Sequence, residues 1–457
     1  MSMLGSSLLG FLLAVAILVT AHEFGHYLVA RWCGVSVHRF SVGFGPVLLR
    51  WVGKRGIFRG TEFAVSALPL GGYVRMLDTR DPEAASMSQA QQAFAFDRQP
   101  LWKRSAIVAA GPLANFLLAG ALYALALALP GRDLAAVIAT PAAATAAHEA
   151  GLRGGERIVD INDRDVKSWG DVRWQMLAHL FSKELRVTAS DGNLERTYVL
   201  KRSDTAMPTE PNASPRLAAW GLVFDLPATI GRVVESGPAA VAGLKSGDRI
   251  VSVDGKSVRQ WTDFTQAIQK RADAATSVRV VRDSREFDIS VVPRRVEAEG
   301  KAIGRIDVLP IDPMTLGDTV VVDTSRNVFE AIAEGTRRSV EATWLTVRAL
   351  WGMITGEISL RQVSGPISMA EGAGATLKQG SGAFILFLAI VSVSIGVLNL
   401  LPVPMLDGGQ LLYHFIEAIK GAPLSERAEA LGQRIGIGFV TALTGLALYN
   451  DFLRMFS

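Results

Sequence analysis

The residues His22-Glu23-Phe24-Gly25-His26 place two imidazoles four positions apart with a carboxylate directly after the first. On a helix, positions i and i+4 share a face, so the two rings can hold one divalent metal ion. Glu23 then stands where it can act as base toward a water molecule at that ion, the arrangement that metallopeptidases use. The plainer alternative is a helix end carrying solvated polar side chains. Its position argues against that. The motif closes the apolar run LLGFLLAVAILVTA at 8–21, and ionisable groups next to hydrocarbon are costly unless they have a task. The chain has one cysteine, Cys33, so no disulfide framework and no thiolate-rich zinc site can form. Any metal must use histidine and carboxylate.

A catalytic zinc keeps three protein ligands and an open fourth position. Asp407 is the best third ligand. It ends an apolar stretch in Asn399-Leu-Leu-Pro-Val-Pro-Met-Leu-Asp407-Gly-Gly409, where Pro402 and Pro404 cannot both sit in an unbroken helix. The opened backbone would present Asp407 from a second span to the metal on the first. Asp81, Asp97, Glu62 and His414 are rivals without a comparable break. Asn399, polar in an apolar segment, could hold substrate backbone or steady an oxyanion, and an interhelical hydrogen bond explains it equally well. One zinc ion per chain and peptide hydrolysis, with Glu23 as proton acceptor, is the chemistry these residues suit.

Four uncharged stretches must carry this site: 1–21, 105–131, 379–406 and 435–450. With 457 residues, 49% of them hydrophobic, and a mean hydropathy of +0.27, membrane spans joined to soluble domains are expected. The first stretch lacks a basic n-region and a clear small-x-small cleavage signal, so a retained span is expected over a cleaved signal peptide. Segment 31–104 holds eleven Lys/Arg against five acids. The positive-inside rule puts it in the cytoplasm. Both termini and the long segment 132–378 then lie outside, and the first and third spans both bring their ligands toward the cytoplasmic end. The net charge is only +4, with no basic tract interleaved with aromatics, so no nucleic-acid partner is expected.

The long outer segment contains a repeat. AGLRGGERIVDINDRDVKSW (150–169) and AGLKSGDRIVSVDGKSVRQW (242–261) align at a constant offset of 92 residues, which implies two similar small domains. Each combines a helix-like lead, a glycine turn, an alternating strand and a tight turn. The AGLKxGDRI pattern resembles PDZ domains, which implies possible capture of peptide C-termini by strand addition or a size filter. A structural pair without ligand is the alternative. Trp220-Gly-Leu-Val-Phe224 is a candidate binding loop of the second copy.

The expected architecture is a multi-pass α-helical membrane protein with four transmembrane helices, a membrane-associated β-hairpin loop and two tandem β-rich PDZ domains. Its parts are helix 1 with the histidine motif (1–30), a membrane-associated β-loop region (31–104), helix 2 (105–131), the PDZ domains (132–212 and 213–320), an amphipathic helical linker (321–378), helix 3 (379–409), a cytoplasmic connector (410–434) and helix 4 (435–453). The linker is expected to pack on the domains or lie at the membrane surface. Within 31–104, residues 62–76 alternate partly and break at Pro69 and Gly71-Gly72. They read as a membrane-dipping hairpin that adds an extended substrate as a strand, with Gly71, Gly72 and Tyr73 meeting it. A helical substrate hides its carbonyls, so some such device is needed. Gly111-Pro112-Leu-Ala-Asn115 is assigned to close helix packing, with Asn115 able to bond across helices.

HEFGH at 22–26, GFGP at 43–46, PLGGYVRM at 69–76, GPLAN at 111–115 and NLLPVPMLDGG at 399–409 together resemble the site-2 protease family over essentially the whole chain. The resemblance implies His22, His26 and Asp407 as zinc ligands, Glu23 as catalytic base, Asn399 as a substrate contact and 62–76 as a membrane-inserted loop. It further implies a bacterial inner-membrane enzyme in the envelope stress response. Its substrate would be a single-pass membrane protein, an anti-sigma factor already cut once, with remnant signal peptides as further substrates. The competing reading is an inactive membrane scaffold that binds envelope-protein peptides through its PDZ domains. Zinc content separates the two.

Overall fold

The computed structural model describes residues 3–202, 215–298, 301–316 and 320–456. It falls into two compact units, residues 1–129 with 325–457, and residues 130–324.

In the first unit, helix α1 (Met3–Trp32) leads to two long strands, β1 (Val37–Val52) and β2 (Glu62–Met76), and then to helix α2 (Leu101–Ala128). Residues 62–76 do not fold back on themselves as a hairpin. Arg39–Val42 of β1 lies between the two halves of β2, facing Arg75–Gly72 on one side and Glu62–Val65 on the other. The outer half of β1 pairs Trp51 with Phe63 and Val52 with Glu62. Pro69 and Gly71-Gly72 therefore bend one strand around a neighbour. The inner strand segment takes up the hydrogen-bonding groups that a hairpin would have satisfied by itself. Residues 72–76 form one edge of this sheet.

The second unit carries both repeat copies. The first contributes β3 (Arg157–Ile161), α3 (Trp169–Ala178), β4 (Glu184–Ser190) and β5 (Glu195–Lys201), with its strands in the order β3-β4-β5. The second contributes β6 (Arg249–Val253), β7 (Lys256–Ser257), α4 (Trp261–Gln269), β8 (Thr276–Arg282) and β9 (Arg285–Val291), in the order β9-β8-β6-β7. Each copy has its own hydrophobic core, and Leu152, Ile158, Ile161 and Val166 of one correspond to Leu244, Ile250, Val253 and Val258 of the other at the 92-residue offset. The tight turn after the strand has the same backbone form in both copies although its residues differ: Asn162 and Asp163 have φ of 53° and 61°, and Asp254 and Gly255 have 47° and 75°. Trp220 and Leu222, expected in a binding loop of the second copy, are buried in the core of the first. The segment therefore belongs to the first copy rather than the second.

The first unit resumes with α5 (Val328–Ile354), α6 (Pro366–Gln379), α7 (Ser381–Asn399), α8 (Asp407–Lys420) and α9 (Glu426–Phe456). Among the described residues, four helices are long and apolar enough to cross a membrane: Gly5–Trp32, Leu101–Ala128, Ser381–Asn399 and Arg427–Met455. These agree in number and order with the expected spans. The third ends at Asn399 rather than 409, because Pro402 and Pro404 stop it, and α8 occupies the expected connector. The linker helix α5 lies along α2, burying Ala331, Gly335, Ser339 and Ala342, with Ser339 Oγ donating to the Phe116 carbonyl at 3.2 Å. Small residues on that face let the two backbones approach closely.

Candidate metal centre

α1 has no charged residue before Glu23 and remains helical through His22 and His26, so the two rings project from one face. Their Nε2 atoms are 3.2 Å apart. α7 ends at Asn399, residues 400–406 are irregular, with Met405 at φ 93°, and Asp407 is the first residue of α8. Its Oδ2 lies 3.2 Å from His22 Nε2 and 3.5 Å from His26 Nε2. The three predicted ligands therefore converge, and they form a group able to hold a metal ion.

The spacing fits zinc. Tetrahedral ligands at the usual zinc bond lengths stand about 3.3 Å from one another, close to the three observed distances. Asp407 Oδ2 is buried and has no hydrogen-bond donor, an arrangement that costs free energy unless a cation completes it. The outer ring nitrogens are held from α2. His26 Nδ1 bonds the Ile107 carbonyl at 2.8 Å, which fixes its proton on Nδ1 and leaves Nε2 as a lone-pair donor. His22 Nδ1 meets the Asn115 side chain at 3.2 Å. Asn115 is fully buried and its Oδ1 lacks a partner. Turning the amide over gives His22 Nδ1–H an acceptor and satisfies Oδ1, and amide orientation is assigned from such networks. Asn115, assigned from sequence to helix packing, thus serves the first ligand. A buried amide eleven residues along α2 from Arg104 gave no sequence signal that distinguished these roles.

α2 comes so close that a β-carbon on Gly111 would lie 2.3 Å from His26 Nε2 and 2.8 Å from His22 Cε1. Only glycine leaves room for both rings. On the opposite side the sheet edge reaches the site. A β-carbon on Gly72 would sit 3.2 Å from Glu23 Cγ, and the Val74 backbone faces the Glu23 carboxylate. Gly71 instead backs onto Phe44, and Tyr73 stacks on the same ring at 6.2 Å. Of these three residues, Gly72 is the one placed against Glu23. Asn399 donates from Nδ2 to the Ile395 carbonyl at 3.1 Å, a bond within its own helix rather than across to another. The rivals are accounted for elsewhere: Asp97 accepts from Thr79 N, Glu62 pairs with Arg39, Asp81 with Arg75, and His414 Nδ1 meets Ser105 Oγ at 3.2 Å. Burial, and then the Arg104 guanidinium, hold the His414 ring below its ordinary pKa, so it stays neutral and can accept the serine hydroxyl.

The chain is similar to known proteins over nearly its whole length. The family model described as peptidase family M50 matches residues 10–443. The chain is 36% identical over 451 residues, covering 98% of each chain, to the regulator of sigma-E protease RseP of Escherichia coli K12. It is 34% identical over 452 residues (98% of this chain, 99% of the relative) to the regulator of sigma E protease of Haemophilus influenzae. It is also 37% identical over 457 residues (98% and 99%) to a protein provisionally named as a zinc metalloprotease from Neisseria meningitidis serogroup A.

Proposed function

The chain belongs to peptidase family M50, the metalloproteases of the site-2 type, and from that premise we propose that it cuts single-span membrane proteins within or near their membrane segments, using one zinc ion held by His22, His26 and Asp407. The observation that carries this reading is the convergence of three ligand atoms, from residues 22, 26 and 407, at 3.2–3.5 Å from one another.

When bound, zinc supplies Lewis acidity, polarising the scissile carbonyl and lowering the pKa of water to about 7. The chain's own residues do the rest. His26 and His22 are oriented by Ile107 and Asn115. Glu23 takes the proton from the attacking water and passes it to the leaving amine. The sheet edge at 72–76 lies beside Glu23, so a substrate unwound from its helix can pair there as an added strand, with its backbone delivered to the carboxylate. Gly72 leaves the space for that approach. Asn399 is released from Ile395 to meet the substrate.

The exposed side chains Val47, Leu48, Leu49, Trp51 and Val52 on the outer half of β1 support a membrane-inserted sheet. The four apolar helices support an inner-membrane, multi-pass placement, with both termini and the repeat domains outside and the site toward the cytoplasm. We assign the repeats to two PDZ domains, and an anti-sigma factor after a first outer cut to the substrate. Remnant signal peptides share its chemistry. The test is metal analysis joined to a cleavage assay on a reconstituted single-span substrate. Glu23→Gln should retain zinc and lose cleavage by about a hundred- to ten-thousandfold; full activity in that variant would sink the proposal.

A further inference from the structure

The carboxylate ligand is the least anchored of the three along the chain. His22 and His26 sit deep in a continuous helix, whereas Asp407 follows seven irregular residues, 400–406. Its regular support comes from downstream, through α8. Ten residues along that helix, the Glu417 carboxylate accepts two hydrogen bonds from one guanidinium: Arg104 Nη2 to Oε1 at 2.6 Å and Arg104 Nη1 to Oε2 at 3.2 Å. Both side chains are largely buried, at 17% and 18% exposure. Next to them, Ser105 and His414 make their own bond. His414 is seven positions from Asp407, on the same face of α8.

Arg104 and Ser105 open the same α2 that carries Ile107, Gly111 and Asn115. One helix therefore touches His26 through Ile107, His22 through Asn115, and the helix bearing Asp407 through Arg104. We propose that the Arg104–Glu417 pair is a positioning clamp, which sets where Asp407 stands relative to the two histidines and so sets the affinity of the metal centre. The fork of a guanidinium meets a carboxylate in one plane and one register, which a lone ammonium does not do. A rigid helix carries that register back to its first residue. The plainer role for Arg104, a charge that marks the cytoplasmic end of a span, would need neither a bidentate partner nor burial. The clamp rests on the metal reading above, and its test separates the two.

The test uses the full chain in lipid discs, freed of metal with a chelator. Zinc affinity is measured by competition with a chromophoric chelator, kcat and KM on a single-span substrate, and cooperative unfolding by heat. Glu417→Gln should weaken zinc binding by about 10–100-fold, the range for groups that orient ligands, and lower kcat at saturating zinc with KM little changed. Arg104→Glu should do the same, and the exchange Arg104→Glu with Glu417→Arg should recover about tenfold or more of the lost affinity. Zinc affinity in Glu417→Gln within about twofold of the parent chain overturns the clamp. So does an exchanged pair no better than its worse single variant, or loss of cooperative unfolding in both single variants, which would make the pair a general support of the fold. Asp407→Ala is the control for the underlying reading. If it keeps zinc at parental affinity, the metal assignment fails; if it loses zinc while Glu417→Gln does not, the clamp alone fails.

Discussion

Gly111 of α2 backs onto His26 so closely that a β-carbon would come within 2.3 Å of its Nε2 atom. Gly111→Ala must therefore push the ring, and with it the ligand nitrogen, out of place. Zinc affinity is expected to fall at least about tenfold. Gly120→Ala, on the same helix but with its nearest neighbour at 3.8 Å, is expected to leave it unchanged. Chelator competition on both variants checks this, and equal affinities would show that the close approach is not a constraint.

Asn115 is fully buried and meets His22. Asn115→Leu keeps the branched outline of the side chain but removes the acceptor for Nδ1–H. Zinc binding should weaken by about 10–100-fold, as for other groups that orient a metal-bound imidazole, while the heat-unfolding profile of the apo chain changes little. Unaltered zinc retention on dialysis would return Asn115 to the packing role read from sequence.

Near the end of α9, the buried Asp451 carboxylate accepts from the backbone N–H groups of Gly365, Ile367 and Ser368 at 3.0, 2.9 and 3.2 Å. It caps α6 from another helix, because Gly365 at the N-cap has no side chain to do so. Asp451→Ala leaves those donors unpaired and should destabilise the helical unit by about 1–3 kcal/mol. Asp451→Asn keeps one acceptor and should cost less. Heat unfolding in lipid discs orders the three proteins, and a cost for Asn equal to that for Ala would count against the cap.

In the second repeat, the Ser277 backbone N–H, and then Arg271, hold the Asp254 carboxyl below its ordinary value of 3.8. A depressed folded pKa adds stability above the unfolded value, and that stability is lost as pH falls through the folded one. The turn joining β6 to β7 should stay protected above about pH 4 and loosen below it. Amide exchange at Ser277 between pH 5 and pH 3, compared with Asp254→Asn, measures the change. A pH response in the variant as large as in the parent chain would assign it elsewhere.

Much of this was legible in the chain because the signals are local. Uncharged runs mark the four helices, the 92-residue offset marks two cores with matching positions, and the two prolines mark the break before Asp407. The sheet at 37–76 was read only by half. Alternation in 62–76 revealed a strand, but strand partners are chosen by long-range pairing, and β1 inserted itself where a hairpin was expected. The loop at 220–224 was misplaced for a related reason: a tryptophan's partners cannot be read from its neighbours in sequence, and this one fills the preceding core.

The sequence by itself determined the ligand types, the spacing of His22 and His26 on one helical face, and the helix break that frees Asp407, since all three follow from periodicity and backbone chemistry within a few residues. Only the tertiary structure decided that α2 is the common support, with Ile107, Gly111, Asn115 and Arg104 each touching the site or its carrier helix. Those contacts join residues up to 313 positions apart. They depend on which helix faces pack together, a choice made by the whole set of buried surfaces rather than by any local pattern.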